Sequence, residues 1–256
     1  WFAALRNRFS HWKVYVSRQI VDTEYTRGIP LDDLLRGLHG RAVQNLHLAV
    51  SLRSFRSEQV SAFVKALLDI DKEKAQTLYK ELKSRYPIVI TRDLEKARKW
   101  VRRKARGSER YGLVASSGAK RLRSYGIWVQ SDITAENWFL NEKSDVRSSY
   151  FLEDTATEFH IQGLEIDWTI VAWDADFRMK DGIFEPYNFK GTKWNVINKE
   201  EDRLYRKNAY RVLLTRARQG FVIFVPEGSS IDETRKHSYY DNTYKYLCDL
   251  GIEECQ

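Results

Sequence analysis

Two short stretches carry residue types whose chemistry could serve a phosphate ligand. In the first, Thr157 precedes Gln162-Gly163-Leu164-Glu165. A glycine at 163 lets the backbone come close to a phosphate, and Glu165 offers an acceptor to a sugar hydroxyl. In the second, Thr215-Arg216-Ala217-Arg218 closes a helical pattern. An arginine there stays protonated, and its planar fork matches phosphate oxygens two at a time. Gln-Gly-Leu-Glu by itself is a weak signal, because four residues recur by chance and also form ordinary helix-to-strand turns. Carboxylate pairs are a further option: Asp154, Glu165 and Asp167, or Asp174 and Asp176, have the composition of a two-metal hydrolytic site. Glu165-Ile166-Asp167 has no lysine at the spacing of a restriction-type nuclease core, and acidic residues at strand ends more often cap loops. No metal ligands are therefore assigned to this chain. The two cysteines, Cys248 and Cys255, have no Cys/His cluster around them, which predicts neither a zinc site nor a disulfide framework.

Charge adds a second kind of signal. The chain carries a formal net charge of +8, and twelve basic against three acidic residues fall between Arg92 and Arg123. Arg92 ends an apolar run, and Leu94, Ala97, Val101 and Ala105 form one helical stripe behind it. Lys96, Lys99, Arg102 and Arg103 then lie largely on the opposite face. A solvated helix face and a track for a polyanion such as nucleic acid are the two readings of such a run. Arg92 has a positional reason to touch a ligand, because strand ends in a parallel sheet open onto the crevice where ligands bind.

The elements that must position these residues can be read from apolar periodicity. Short β-branched runs at 12–16, 87–90, 111–115, 168–173 and 221–225 alternate with helical patterns, which predicts an α/β domain with a mostly parallel sheet. Val60, Phe63, Val64, Leu67 and Leu68, then Ala75, Leu78 and Leu82, predict two helices broken around Asp69–Asp71. Residues 203–215 read as a further helix that Gln219-Gly220 separates from the last strand. Residues 226–230 read as a loop, and 242–250 as a short packing helix. The aromatic-rich stretch 177–198 has no clear periodicity and is expected to be an insertion over one end of the sheet. With 256 residues and 43% hydrophobic content, a substantial core can form. No apolar run approaches the roughly 20 residues of a membrane span, and the start has no secretory-signal pattern, which predicts a cytoplasmic protein without a membrane partner.

The order of these stretches resembles the second RecA-like lobe of superfamily 1 DNA/RNA helicases. Ala156-Thr157-Glu158-Phe159-His160-Ile161-Gln162-Gly163-Leu164-Glu165 is similar to motif V, and Asn208-Ala209-Tyr210-Arg211-Val212-Leu213-Leu214-Thr215-Arg216 to motif VI. The likeness extends, through Leu48–Arg53, Ile90–Asp93 and Gly112–Ser117, to a family of bacterial helicase-domain proteins related to the Schlafen helicase-like module. It covers the chain from about Val14 to the tail. The resemblance implies a RecA-like three-layer α/β fold with a helical N-terminal portion. It further implies a remnant of a first lobe with a helical connector over 1–85, and the second lobe over 86–256.

By the same resemblance Arg216 reaches the γ-phosphate, and Arg53 is the motif IV arginine, with Phe55-Arg56-Ser57 as the rival placement. Gln162, Gly163, Glu165 and Arg211 would be further nucleotide contacts. Gln19 would be motif III, although Ser17-Arg18 stands where the family has Gly-Asp or Gly-Gly; a polar residue on an edge strand is the alternative. Arg92, Ser116, Thr157, Phe159, His160, Lys96, Lys99 and Arg103 would face single-stranded DNA or RNA, Phe159 either stacking on a base or packing in the core. No Gly-x-x-x-x-Gly-Lys-Ser/Thr loop and no strand ending in Asp-Glu before Gln19 is present. ATP or another NTP with Mg2+ is therefore expected to be held mainly by an N-terminal helicase lobe of the same protein, with this chain beginning shortly after motif II and inactive alone. A non-catalytic nucleic-acid-binding module derived from a helicase lobe is the alternative.

Overall fold

The computed structural model describes residues 2–17, 31–43, 46 and 55–256, and divides into two compact units, Trp1–Ser54 and Phe55–Gln256. In the first unit, α1 (Phe2–Arg8) and β1 (Lys13–Ser17) precede α2 (Leu31–Leu35) and β2 (His39–Val43). The two strands pair in parallel, with Lys13 opposite His39. Gln19 and Arg53 lie outside the described residues.

The second unit opens with α3 (Phe55–Leu68) and α4 (Lys72–Leu82). Their break is a capped turn: Ile70 takes a positive φ of 63°, and the Asp71 side chain accepts from the Lys74 amide. Val60, Phe63, Leu67 and Leu82 are buried in the main core, so these helices, grouped on sequence with the first 54 residues, fold within the second unit. There follow β3 (Ile88–Thr91), α5 (Leu94–Lys104), β4 (Tyr111–Ala115), α6 (Ala135–Leu140), β5 (Thr155–Ala156), α7 (Glu158–Ile161) and β6 (Ile166–Ala172). A meander of β7 (Phe177–Lys180), β8 (Ile183–Lys190) and β9 (Lys193–Val196) precedes α8 (Glu200–Leu214), β10 (Ala217–Phe224), α9 (Ser238–Asp249) and β11 (Glu253–Glu254).

The principal sheet has six strands in the order β11-β3-β10-β6-β4-β5, and every neighbouring pair is parallel. Parallel strands covered on both faces need apolar residues at nearly every position, and alternation by two sends them to opposite layers. Ile88, Ile90, Val114, Val171, Phe221 and Ile223 enter the core with α3, α4, α8 and α9. Leu113, Ala115, Ile170, Ala172, Val222 and Phe224 enter the core with Ala97, Trp100 and Val101 of α5. The result is a three-layer RecA-like α/β fold. Among the described residues no helix is long and apolar enough to cross a membrane.

Gln219-Gly220 does not separate helix from strand. β10 begins at Ala217, and the pair sits inside it at a register shift against β6. A Cβ on Gly220 would lie 2.4 Å from the Pro87 carbonyl oxygen and 2.9 Å from the Trp168 ring. The glycine is there for close approach of β10 to its neighbours, a use typical of strand glycines at bulges. Gly220→Ala should therefore destabilise the fold by about 1–3 kcal/mol through overpacking, as read from the urea midpoint; an unchanged midpoint would remove this account.

Residues 177–196 form a separate three-stranded antiparallel sheet. Its first turn, Asp181-Gly182, has φ of 50° and 82°, the left-handed pair that a tight two-residue hairpin requires. Phe177 and Phe184 stack at 4.9 Å and pack on Trp173 and Tyr210, which fixes the meander to β6 and α8.

Candidate functional site

At the amino end of the principal sheet, β6 and β10 start side by side, with Ile166 opposite Ala217. The Ile166 amide donates to the Arg216 carbonyl at 3.1 Å. The residues just before each strand therefore meet: Gln162, Gly163 and Glu165 on one side, Arg216 on the other. The 162–165 turn is exposed throughout. Gly163 has φ +88°, and a Cβ there would meet nothing within 4 Å, so the turn needs the glycine's conformation and leaves open space beside it. Arg216 is 9% exposed, and its Nε donates to the Val212 carbonyl at 3.3 Å at the end of α8. Arg211 is half-buried one turn earlier on α8. Arg218 pairs with Asp167 at 2.8 Å, and the Arg110 amide donates to the other oxygen of that carboxylate.

The residues expected to face nucleic acid lie elsewhere. Arg92, Ser116 and Thr157 follow β3, β4 and β5 directly, at the carboxyl end of the sheet. Arg92 pairs with Asp241 at 2.6 Å and lies over the Tyr244 ring. Ser116 is fully buried, and its hydroxyl donates to Asp176 at 2.7 Å. Thr157 is also buried; its amide donates to His160 Nδ1 at 3.0 Å, a capping box that holds the four-residue α7. That contact makes Nδ1 the acceptor; Phe159, between the two residues, is 72% exposed and not packed in the core.

The basic run on α5 covers the Trp100 side of the sheet instead of its carboxyl end, apart from its first turn. Arg98 is bound by Glu95 and the Leu152 carbonyl. Arg102 and Arg103 donate to the Phe151 and Gln256 carbonyls. Lys96 and Lys99 are exposed.

Behind the carboxyl end lies a buried polar network that the sequence reading only half anticipated. Asp176, fully buried, accepts from Tyr210 Oη at 2.5 Å, from Ser116 Oγ and from Arg206 Nη1 at 2.7 Å. Asp174 accepts from the Ala175 amide at 2.7 Å, Tyr240 Oη at 2.9 Å and the Arg121 amide at 2.9 Å. Burial, then the neighbouring Asp176, pushes the Asp174 carboxyl up to about 7, and burial raises Asp176 against the opposing pull of Arg206. With their oxygens occupied by protein donors, these carboxylates cap strand-end loops and are not arranged as paired metal ligands. Arg206 and Tyr210 could have been found as an i, i+4 pair on one face of α8 facing the two aspartates. Gly118 gives the guanidinium its room, since a Cβ there would fall 2.1 Å from Arg206 Nη1.

Over this network opens a groove of about 590 Å3, lined among others by Ser117, Glu158, Phe159, Asn188, Asp202, Tyr205 and Arg206. Glu158 is fixed in its wall by the Ser117 amide and hydroxyl at 2.8 and 2.7 Å.

Residues 3–227 match a family model described as Schlafen group 3, DNA/RNA helicase domain. Among solved structures, the C-terminal domain of a possible DNA helicase from Lactobacillus plantarum WCFS1 is similar at 16% sequence identity, covering 75% of this chain and 98% of that chain with a TM-score of 0.32. No curated protein matches the chain.

Proposed function

The chain belongs to the Schlafen group 3 DNA/RNA helicase-domain family, and from that premise we propose that it is the second motor lobe of an NTP-dependent helicase or translocase. The observation that carries this reading is the meeting of the 162–165 turn with Arg216 at the amino ends of β6 and β10. A glycine open to approach, a carboxylate for a sugar hydroxyl and an arginine for a phosphate are thereby brought to one edge. These groups fit the rim of a nucleotide, not its cradle. The triphosphate loop and the magnesium carboxylates would belong to a companion lobe facing this edge. When bound, the Mg2+ nucleotide supplies the phosphoanhydride whose cleavage drives the motor. This chain contributes positioning and positive charge: Arg216 toward the γ-phosphate, with Gln162, Glu165 and Arg211 behind it. Arg92 and Thr157 follow β3 and β5 at the carboxyl end of the sheet, so nucleic acid and nucleotide would be held at opposite ends of the same sheet, on different strands.

The 256-residue chain alone should accordingly show no NTPase activity above a buffer blank. The protein carrying both lobes should hydrolyse NTP and do so faster with single-stranded DNA or RNA present. Phosphate release assays on both preparations test this; robust turnover by the purified chain alone would overturn the division of labour.

A further inference from the structure

The hairpin of β8 and β9 sorts its residues sharply between two faces. Phe189 and Trp194 pair across the strands at 5.1 Å. They anchor the hairpin to its surroundings: Trp194 Nε1 donates to the Thr234 carbonyl at 2.8 Å, and the Arg121 guanidinium lies over Phe189. The alternate positions are Asn188 opposite Asn195 and Lys190 opposite Lys193, which line one shallow depression. Directly opposed like charges weaken an antiparallel pair. Neither lysine has an ion-pair partner among the described residues, in contrast to Arg92 and Arg98. The fold thus holds two cations together, on an anchored hairpin, without neutralising them.

Asn188 joins this face to the neighbouring groove. It lines both depressions, and its Oδ1 accepts from Arg206 Nη2 at 3.3 Å. Two aromatic side chains stand at the groove, Phe159 at 72% and Tyr205 at 73% exposure. Two carboxylates, Glu158 and Asp202, also line it. Acidic walls repel phosphate but accept hydrogen bonds from uncharged nucleobases, while exposed rings offer stacking surfaces to any base. Cations on the hairpin and aromatics in the groove are the two components of a single-strand platform.

We propose that the β8–β9 hairpin and this groove form a single-stranded nucleic-acid site, with the backbone crossing Lys190 and Lys193 and bases turned inward onto Phe159 and Tyr205. The proposal rests on the helicase-lobe reading and gives its nucleic-acid path a location other than α5. Asn188 and Asn195 supply amide donors and acceptors between the two parts.

The test uses the full chain, a fluorescein-labelled oligothymidylate and a salt series. Each phosphate contact on a single strand contributes about 0.7 to the log-log salt slope. Lys190→Ala/Lys193→Ala should therefore lower the slope by about 1.4, while Lys190→Arg/Lys193→Arg retains it. Phe159→Ala/Tyr205→Ala should weaken binding about tenfold or more with the slope kept, and should abolish the quenching of a 2-aminopurine placed in the strand. All four side chains lie at the surface, and unchanged urea midpoints would confirm folded variants. A wild-type slope in the lysine variant, or quenching that persists in the aromatic variant, overturns the platform while leaving the helicase-lobe reading standing. Absence of salt-dependent binding by the unsubstituted chain would count against that reading itself.

Discussion

Arg216→Ala, in the protein carrying both lobes, is expected to lower nucleic-acid-stimulated NTP hydrolysis by about 10³-fold or more, with much less change in nucleotide affinity. The expectation follows from where the side chain stands. Arg216 precedes β10 immediately, its backbone carbonyl is tied to β6, and its Nε is held by the Val212 carbonyl. The fork is therefore aimed by the last turn of α8, close to the turn that carries Gly163. Arg216 is buried, so a urea titration of the variant is run beside the assay to separate lost turnover from lost structure. Arg216→Lys separates charge from geometry, because an ammonium keeps the charge but cannot present two parallel donors. Most of the loss should persist in it. A phosphate-release assay giving near-normal turnover for either variant would remove Arg216 from the nucleotide site.

The 12–16 run pairs with β2 in the first unit, and the two-residue β5 and β11 were not read, but apolar periodicity was enough to place β3, β4, β6 and β10, because both faces of a parallel sheet must be filled. That demand writes continuous apolar runs such as Ile88–Ile90 and Phe221–Phe224, whose alternate residues enter the two core layers. The break between the first two helices of this unit was legible around Asp69–Asp71, and Asp71 caps the second of them. The meander was not resolved from the 177–198 stretch because its strands are only partly buried and carry Pro186 and Asn188 at positions that break alternation. Its turns were nevertheless written plainly in Asp181-Gly182 and Gly191-Thr192. Gly220 was read as punctuation when it marks close approach, a distinction that depends on Pro87 and Trp168, both distant in sequence.

For the candidate site, the residue types of the two turns were visible, and the structure adds the reason they meet: strands β6 and β10 are neighbours. The basic run showed charge but not its engagement. Which cations are engaged is decided by Asp241 and by the carbonyls of residues 151, 152 and 256, all outside the run and so not weighed by a linear count. Conversely, Lys190 and Lys193 look like ordinary surface residues in sequence and gain meaning only from facing each other across a hairpin.

Arg206→Ala should be among the most destabilising single substitutions in the protein, at about 3–5 kcal/mol near neutral pH. The guanidinium is the only cation given to Asp176 by the described ion pairs; its Nη1 donates at 2.7 Å to a carboxylate with no exposed surface. Removing it leaves Tyr210 and Ser116 as donors to a buried charge. The pH dependence supplies the sign. Burial already raises Asp176 above its ordinary value, and deleting Arg206 removes the opposing pull, so the folded variant should bind this proton more tightly still. A carboxyl raised in the folded state favours folding while protonated, and that contribution is lost as pH rises through its folded-state pKa. The deficit of Arg206→Ala relative to the unsubstituted protein should therefore shrink toward acid pH and widen as Asp176 is forced to ionise. Asp174, raised to about 7 by burial and by the same neighbour, titrates in both proteins, so the comparison must be made as a difference. Urea titrations at several pH values between about 5 and 8, with Asp176→Asn/Arg206→Met completing a double-mutant cycle, give the coupling directly. A deficit independent of pH would mean that Arg206 acts through packing against Gly118 and not through its charge on Asp176. A deficit below about 1 kcal/mol would mean that solvent reaches the pair and that the network does not tie α8 to the strand ends as the geometry requires.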